Sequence, residues 1–327
     1  MISFSSFLSN HGVVQTLKRA AAPGGRLSHA YLLHGTAGTG KRTLARIFAA
    51  GLLCNAPEER PCGACIACRK VEKGIHPDLI TVCCPEGKSQ ISVDQIRTMR
   101  EEVFLRPNEG RHRVVVIEGA ETMNPSAANA LLKVLEEPPP YLVFILTANN
   151  RSLLPETIAS RCVCLELCEV SRLQAEKWLL REFPDESPSS VEEALLCGGG
   201  NLGRCAGYLK KDGAAAGFQT AIKLLQSLTT GREYDVMEAL SPLEGDRTAF
   251  LRLLTDVDRL AGEAARAAFL PEQQTVLTLV PRISPGQAVE IHDLGDNMRE
   301  RLNGNGNLAL LLGCYCAQLR NMMERTV

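Results

Sequence analysis

Residues 34–54, HGTAGTGKRTLARIFAAGLLC, place Gly35, Gly38, Gly40 and Lys41 in the GxxxxGK spacing of a phosphate-binding loop. Backbone N–H groups of such a loop, at the N-terminus of a helix, suit phosphate oxygens, and the lysine adds a point charge for the outer phosphates. Hydrolysis asks for more: a metal ligand, a group that positions water, and compensation for charge building on the transferred phosphoryl. The ligand is normally a Ser or Thr hydroxyl directly after the lysine, and here that residue is Arg42. Thr43 comes one residue late, turned about 100° around the helix, so it does not simply replace the missing hydroxyl. Binding of ATP stays open on this pattern; efficient hydrolysis is not expected.

Cys54, Cys62, Cys65 and Cys68 form a second constellation, spaced CxxxxxxxCxxCxxC. Two-residue gaps let neighbouring thiolates converge on one ion, and Cys54, returning from the end of the loop helix, completes a tetrahedral set. Structural zinc is the expected occupant. An iron–sulfur cluster is the rival, because CxxCxxC also occurs in ferredoxins; there a fourth cysteine follows after three residues, whereas Cys83 and Cys84 lie much further on. His76, in GIHPDL, reads as part of a turn entering a strand rather than as a ligand. The other cysteines, Cys83, Cys84, Cys162, Cys164, Cys168, Cys197, Cys205, Cys314 and Cys316, read as small apolar packing residues.

These groups need a frame to hold them. AYLLHG leads into the loop and TLARIFAAGLLC follows with helical periodicity, which gives strand, loop and helix. HRVVVIEGA and YLVFILTANN are β-branched runs that end in acidic or amide residues, as buried parallel strands do when their C-terminal ends face a site. Between them NPSAANALLKVLEEPPP reads as a helix with Asn124 as N-cap, Pro125 in the first turn and a proline stop. The alternation predicts an α/β domain with a doubly wound parallel sheet over residues 1–167. Short helices in SRLQAEKWLLREF, SVEEALLC and NLGRCAGYLKK predict a small helical domain over 168–212. Apolar stripes in TAFLRLLTDVDRLAGEAARAAFL and NLALLLGCYCAQLRNMM predict an all-α domain over 213–327.

A chain of 327 residues is long enough for two or three domains. Its formal net charge of -1 supplies no broad basic field, so any DNA contact is local or delegated to partners. MISFSSFLSNHG has no basic stretch followed by an apolar one, and no run of about 18 apolar residues occurs. The expectation is a soluble cytoplasmic chain without a membrane partner, whose 13 cysteines divide into metal ligands and reduced thiols.

SHAYLLHGTAGTGKRTLARIFA, the cysteine cluster, HPDLI, AANALLKVLEEPP and the triplet Ser160, Arg161, Cys162 occur in this order. Together they resemble the bacterial clamp-loader subunits of the AAA+ superfamily, over about residues 10–210. The resemblance implies an AAA+ P-loop module with a zinc module at 54–68, a helical lid and a helical collar. It also implies a pentameric ring shared with gamma/tau and delta subunits, which loads the sliding clamp onto primed DNA during replication.

In the active members of that family two adjacent acids follow the strand, the first assisting magnesium and the second polarising water. VVVIEGAE offers Glu118 and then Gly119, with Glu121 beyond the strand end. Loss of a positioned catalytic base removes about 10²–10⁴ in rate, so the resemblance points to a member with little ATPase of its own, an accessory subunit of a DNA-directed DNA polymerase holoenzyme. The alternative is an active gamma/tau-like ATPase, against which Arg42 and Gly119 argue. A P-loop kinase is a third reading, opposed by the absence of a phosphate-clamping arginine cluster in 166–327. Asn149 and Arg204 stand where the family places its phosphate sensors. Arg161 stands at the arginine finger, which reaches ATP bound in a neighbouring subunit; its plain alternative is a surface arginine paired with an acid such as Glu156.

Overall fold

Strands that read as apolar on both faces become the middle of a sheet covered on both sides. The computed structural model describes residues 2–7, 9–85, 87–211, 213–230, 233–243, 245–267, 269, 275–304 and 306–324. It divides into two units, Met1–Val170 and Ser171–Val327. The first holds strands β1 (Ala30–His34), β2 (Leu79–Val82), β3 (Arg113–Ile117), β4 (Leu142–Ala148) and β5 (Val163–Glu166). They form a five-stranded sheet in the order β2-β3-β4-β1-β5, and every pairing is parallel. Every residue of β3 and β4 is buried.

Alternate residues of these strands point to opposite faces and build two cores. On one face Leu33, Val116 and Ile145 pack with Leu17 of helix α1 (His11–Ala21) and Phe48 of α2 (Lys41–Leu53). After α3 (Ile66–Glu72), the opposite face is covered by α4 (Val93–Val103) and α5 (Pro125–Glu136), with Ile96 and Leu131 against Leu32, Val115 and Phe144. Phe48 and Phe144 are fully buried; truncation of such a ring to alanine costs about 3–5 kcal/mol. The Asn124 side chain accepts from the Ala127 N–H and Pro125 opens α5, as the sequence indicates. A single helical turn, α6 (Glu156–Ala159), precedes β5.

Register fixes what meets at the sheet's C-terminal edge. His34 lies beside Ala148 and Glu166, and Ile117 beside Leu146. The residues that follow, Gly35, Glu118 and Asn149, are therefore brought to one edge.

The second unit is helical: α7 (Arg172–Glu182), α8 (Pro188–Gly198), α9 (Leu202–Leu209), α10 (Gly213–Thr230), α11 (Glu233–Leu240), α12 (Arg247–Ala267), α13 (Thr275–Leu279), α14 (Pro285–Asn303) and α15 (Leu308–Glu324). Its core joins Leu196 and Cys197 of α8 to Phe218, Phe250 and Tyr315, the last two rings meeting edge-on at 5.6 Å. Among the described residues no helix is long and apolar enough to cross a membrane. Cys197, Cys205 and Cys316 are buried, as read from sequence, but Cys83 and Cys168 are exposed. Both of these follow a strand end, where the chain has already left the core.

Candidate functional site

The loop after β1 is shaped by close approaches that only glycine permits. A Cβ on Gly35 would lie 2.1 Å from the Leu167 carbonyl oxygen, and one on Gly40, at φ +86°, would meet the Phe7 ring at 2.8 Å. Lys41 opens α2 and is buried at 8% exposure. Its ammonium donates to the Gly35 carbonyl (2.6 Å), the Thr36 carbonyl (2.7 Å) and Asn149 Oδ1 (3.1 Å). Burial pulls the Lys41 pKa down, and the nearby Glu121 carboxylate works against that. The structure thus brings Gly35, Gly38, Gly40, Lys41 and Asn149 into one loop-and-strand-end cluster.

The Arg42 side chain is 72% exposed, yet it is paired. Its Nε lies 3.1 Å from Glu118 Oε2, so the residue in the metal-hydroxyl place neutralises the one acid at the end of β3. Gly119 takes φ +67°, where an L side chain costs about 1–2 kcal/mol, and its N–H donates to Thr147 Oγ1 at 3.0 Å. The missing second acid therefore coincides with a backbone turn that disfavours any side chain. Thr43 lines a cavity of about 430 Å³ with Arg42, Arg46 and Glu118.

Glu121 has a role that the sequence left undefined: Oε1 accepts the Asn149 N–H at 3.0 Å, while Oε2 is buried without a partner. It holds the end of β4 where Asn149 meets Lys41. The signal for it is weak in sequence, because the two residues are joined only by the fold.

The four cysteines converge. Cys54 caps the C-terminus of α2 and Cys65 is the N-cap of α3. Their sulfurs and those of Cys62 and Cys68 all lie within 4.8 Å of one another, and the Cys54 and Cys65 sulfurs are 3.9 Å apart. A tetrahedral zinc with bonds of about 2.3 Å sets its sulfurs about 3.8 Å apart, so the cage has the right size. Backbone N–H groups point at the sulfurs: Ala56 and Cys62 at Cys54, Cys65 at Cys62, and Cys68 at Cys65. N–H groups of Ala64 and Cys65 draw the Cys62 thiol down to about 6, whereas burial pushes Cys54 and Cys68 up. The cluster could hold a metal ion, and a cation would favour the thiolate form of all four.

His76 is not among the residues that converge there. It is 3% exposed, and its Nδ1 accepts the Asp78 N–H at 3.1 Å. The fully buried Asp78 in turn accepts N–H groups of Asn108 (2.6 Å), Glu109 (2.8 Å) and Gly110 (2.8 Å). Burial raises its pKa, but these bonds outweigh it and the net direction is down. HPDLI is therefore a clasp that ties the start of β2 to the segment before β3.

Arg161 follows the single turn of α6. Its guanidinium donates to the Thr157 carbonyl and to Glu136 Oε1, each at 2.9 Å. Glu156, the acid named as an example in the surface-pair alternative, is not its partner; it pairs with Arg151 at 2.9 Å. Glu156 stands on the first turn of α6 and faces back along the chain, while Arg161 lies past the helix end and reaches the C-terminus of α5. Arg204, on α9, pairs with Asp256 of α12, which is 2% exposed. Burial raises the Asp256 pKa and Arg204 pulls it down, leaving it above the usual carboxylate range.

Residues 9–171 match the family described as DNA polymerase III, delta subunit. The chain is 44% identical over 182 residues to the DNA polymerase III subunit delta' of Pseudomonas aeruginosa, a match covering 54% of this chain and 55% of that protein. It is 37% identical over 178 residues to the delta' subunit of Haemophilus influenzae, covering 54% of this chain and 52% of that one. With the tau subunit of Escherichia coli it shares 33% identity over 237 residues, 69% of this chain and 36% of that protein. The chain spans about half the length of the two delta' relatives it matches.

Proposed function

We propose that this chain, which over residues 9–171 belongs to the DNA polymerase III delta-subunit family and resembles the delta-prime clamp-loader subunits, works as a delta-prime-like component of a clamp loader. In that role it occupies one position of a pentameric ring with gamma/tau and delta subunits, in the cytoplasm, and helps place the sliding clamp on primed DNA. Residues 168–212 serve as the lid and 213–327 as the collar that joins the ring. The chain contributes structure and one arginine, Arg161, to a neighbour's ATP site, and little ATPase of its own.

The observation that carries this reading is the Arg42–Glu118 ion pair. Both residues stand where an ATPase would hold magnesium, and they satisfy each other instead. The lysine and glycines of the loop remain, which is compatible with a bound nucleotide that is not turned over. Zinc is the proposed ion for Cys54, Cys62, Cys65 and Cys68; when bound it would cross-link the end of α2 to the start of α3. No catalytic step runs through it.

The test is reconstitution. A complex of gamma/tau, delta and this chain, with sliding clamp and primed DNA, is expected to load clamps, and omission of this chain is expected to abolish loading. Steady hydrolysis of ATP by the isolated chain, abolished by Lys41→Ala, would replace this reading with the gamma/tau-like one.

A further inference from the structure

The chain leaves the Met1–Val170 unit along the phosphate loop. β1 and β5 pair as far as His34 and Glu166, and the Leu167 N–H then donates to the His34 carbonyl at 2.7 Å. Leu167 is 1% exposed. Its own carbonyl oxygen bears on Gly35 so closely that no Cβ fits between them. Thr36 Oγ1 lies 3.5 Å from Glu169 Oε1. The next peptide is held by Asn10: the Cys168 N–H donates to Asn10 Oδ1 at 2.9 Å, and the Cys168 carbonyl accepts from Asn10 Nδ2 at 3.0 Å. An asparagine before a helix ordinarily spends its side chain on the helix's first free N–H groups. Asn10 precedes α1, makes no such bond among the described residues, and gives both ends of its amide to Cys168 instead.

The loop under this strap is fixed by its own lysine. An ammonium has three protons to donate, and Lys41 has three acceptors: the carbonyls of Gly35 and Thr36, and Asn149 Oδ1. A phosphate reaches the ammonium only by displacing one of them. The two carbonyls belong to the peptides on either side of Thr36, so the lysine sets the course of the chain just after Gly35, the residue on which Leu167 rests. Thr39 Oγ1 donates to the same Thr36 carbonyl at 2.9 Å. The segment that carries Asn10 also meets the loop, through the Phe7 ring against Gly40.

We propose that Lys41 is a positioning residue for the strap Leu167–Val170. It pins the loop carbonyls, Gly35 then seats Leu167, and Asn10 clamps the peptide that follows. In this chain the retained glycines and lysine of the loop fix the point from which the backbone runs on to α7, and they do so without nucleotide. The proposal does not depend on the clamp-loader reading, because every contact it uses lies within Met1–Val170.

The experiment measures amide hydrogen exchange in the full, nucleotide-free chain at Leu167 and Cys168, since exchange separates local opening from global unfolding. The Phe144 amide, bonded to the His29 carbonyl at 2.8 Å within the same sheet, is the control. Lys41→Met keeps a buried stem and removes the donors; exchange at Leu167 should rise at least about tenfold, with Phe144 unchanged. Gly35→Ala presses on the Leu167 carbonyl without altering the lysine and should give the same local rise, whereas Asn10→Ala should act first on Cys168. Four results overturn the proposal. Leu167 and Cys168 exchange in the parent as fast as free peptide, so that no strap is held; the Leu167 rate is unchanged in Lys41→Met; Leu167 and Phe144 rise equally in that variant, which makes the lysine a part of general stability; or protection in the parent arises only when ATP is added, which assigns the strap to the nucleotide.

Discussion

Arg42 Nε and Glu118 Oε2 lie 3.1 Å apart, joining the start of the loop helix to the end of the third strand. A guanidinium at that place supplies positive charge without coordination sites, so it cannot activate or position water as a magnesium ion does. The pair is the reason that retention of Gly35, Gly38, Gly40 and Lys41 is not evidence of ATP hydrolysis.

The isolated chain is therefore expected to release phosphate from ATP at background rate, with or without magnesium. Arg42→Thr alone should not restore turnover, because no second acid follows Glu118. Supplying that acid as Gly119→Glu forces a side chain onto a residue at φ +67° and should cost about 1–2 kcal/mol of stability. Steady-state phosphate release and urea unfolding of the single and double variants check both statements.

Purified chain is expected to contain about one zinc per molecule, held by Cys54, Cys62, Cys65 and Cys68. Cys65→Ser removes one ligand but leaves a hydroxyl able to cap the Cys68 N–H, so metal content and melting temperature should fall together through the lost ligand alone. Elemental analysis that finds iron, or no metal in protein prepared without chelator, would refute this assignment.

Arg204→Ala leaves the Asp256 carboxylate buried and unpaired, a change that costs about 3–5 kcal/mol in buried pairs. Asp256 already sits above the usual carboxylate range because of burial. A raised folded-state pKa means that stability is full below the unfolded value and is lost as pH rises through the folded value. Removal of Arg204 raises the folded value further, so the variant's deficit should be smaller at pH 5 than at pH 8. Urea unfolding at the two pH values measures it; an equal deficit at both would show that the carboxylate is not the cause.

The contrast between these sites shows which features sequence carries. Gly35 to Lys41, the cap at Asn124 and the cysteine spacing were legible because each is a local pattern tied to one turn or one helix end. The parallel sheet was legible because strands buried on both faces must be apolar throughout. Glu121 on Asn149, Arg161 on Glu136 and Arg204 on Asp256 were not, since each joins residues 25 to 52 positions apart through packing that no local pattern encodes. Cys83 and Cys168 were misjudged for a related reason: a cysteine's burial depends on where its strand ends, and strand ends are the least determined part of a sequence reading.

Arg161 carries the last prediction, which rests on the ring position proposed above. Its guanidinium is held by one exposed carboxylate, Glu136, and one carbonyl, that of Thr157. A surface pair of this kind contributes about 0–1 kcal/mol, so the side chain can leave it for a stronger anion at little cost. In the proposed ring, phosphate oxygens of a neighbour's ATP would be such an anion, and a planar guanidinium can clamp them as charge develops. Arginine fingers supplied in trans are worth about 10³–10⁵ in rate at the site they serve. Arg161→Ala is accordingly expected to melt within about 1 kcal/mol of the parent, to keep its metal and to assemble. The reconstituted complex should then lose the ATP turnover of the one neighbouring site and load clamps more slowly. Arg161→Lys should rescue poorly, because an ammonium cannot make the bidentate contact, whereas Glu136→Gln frees the guanidinium and should leave loading intact. Unaltered ATPase and loading with Arg161→Ala as the sole change in the complex would return this residue to a surface ion pair.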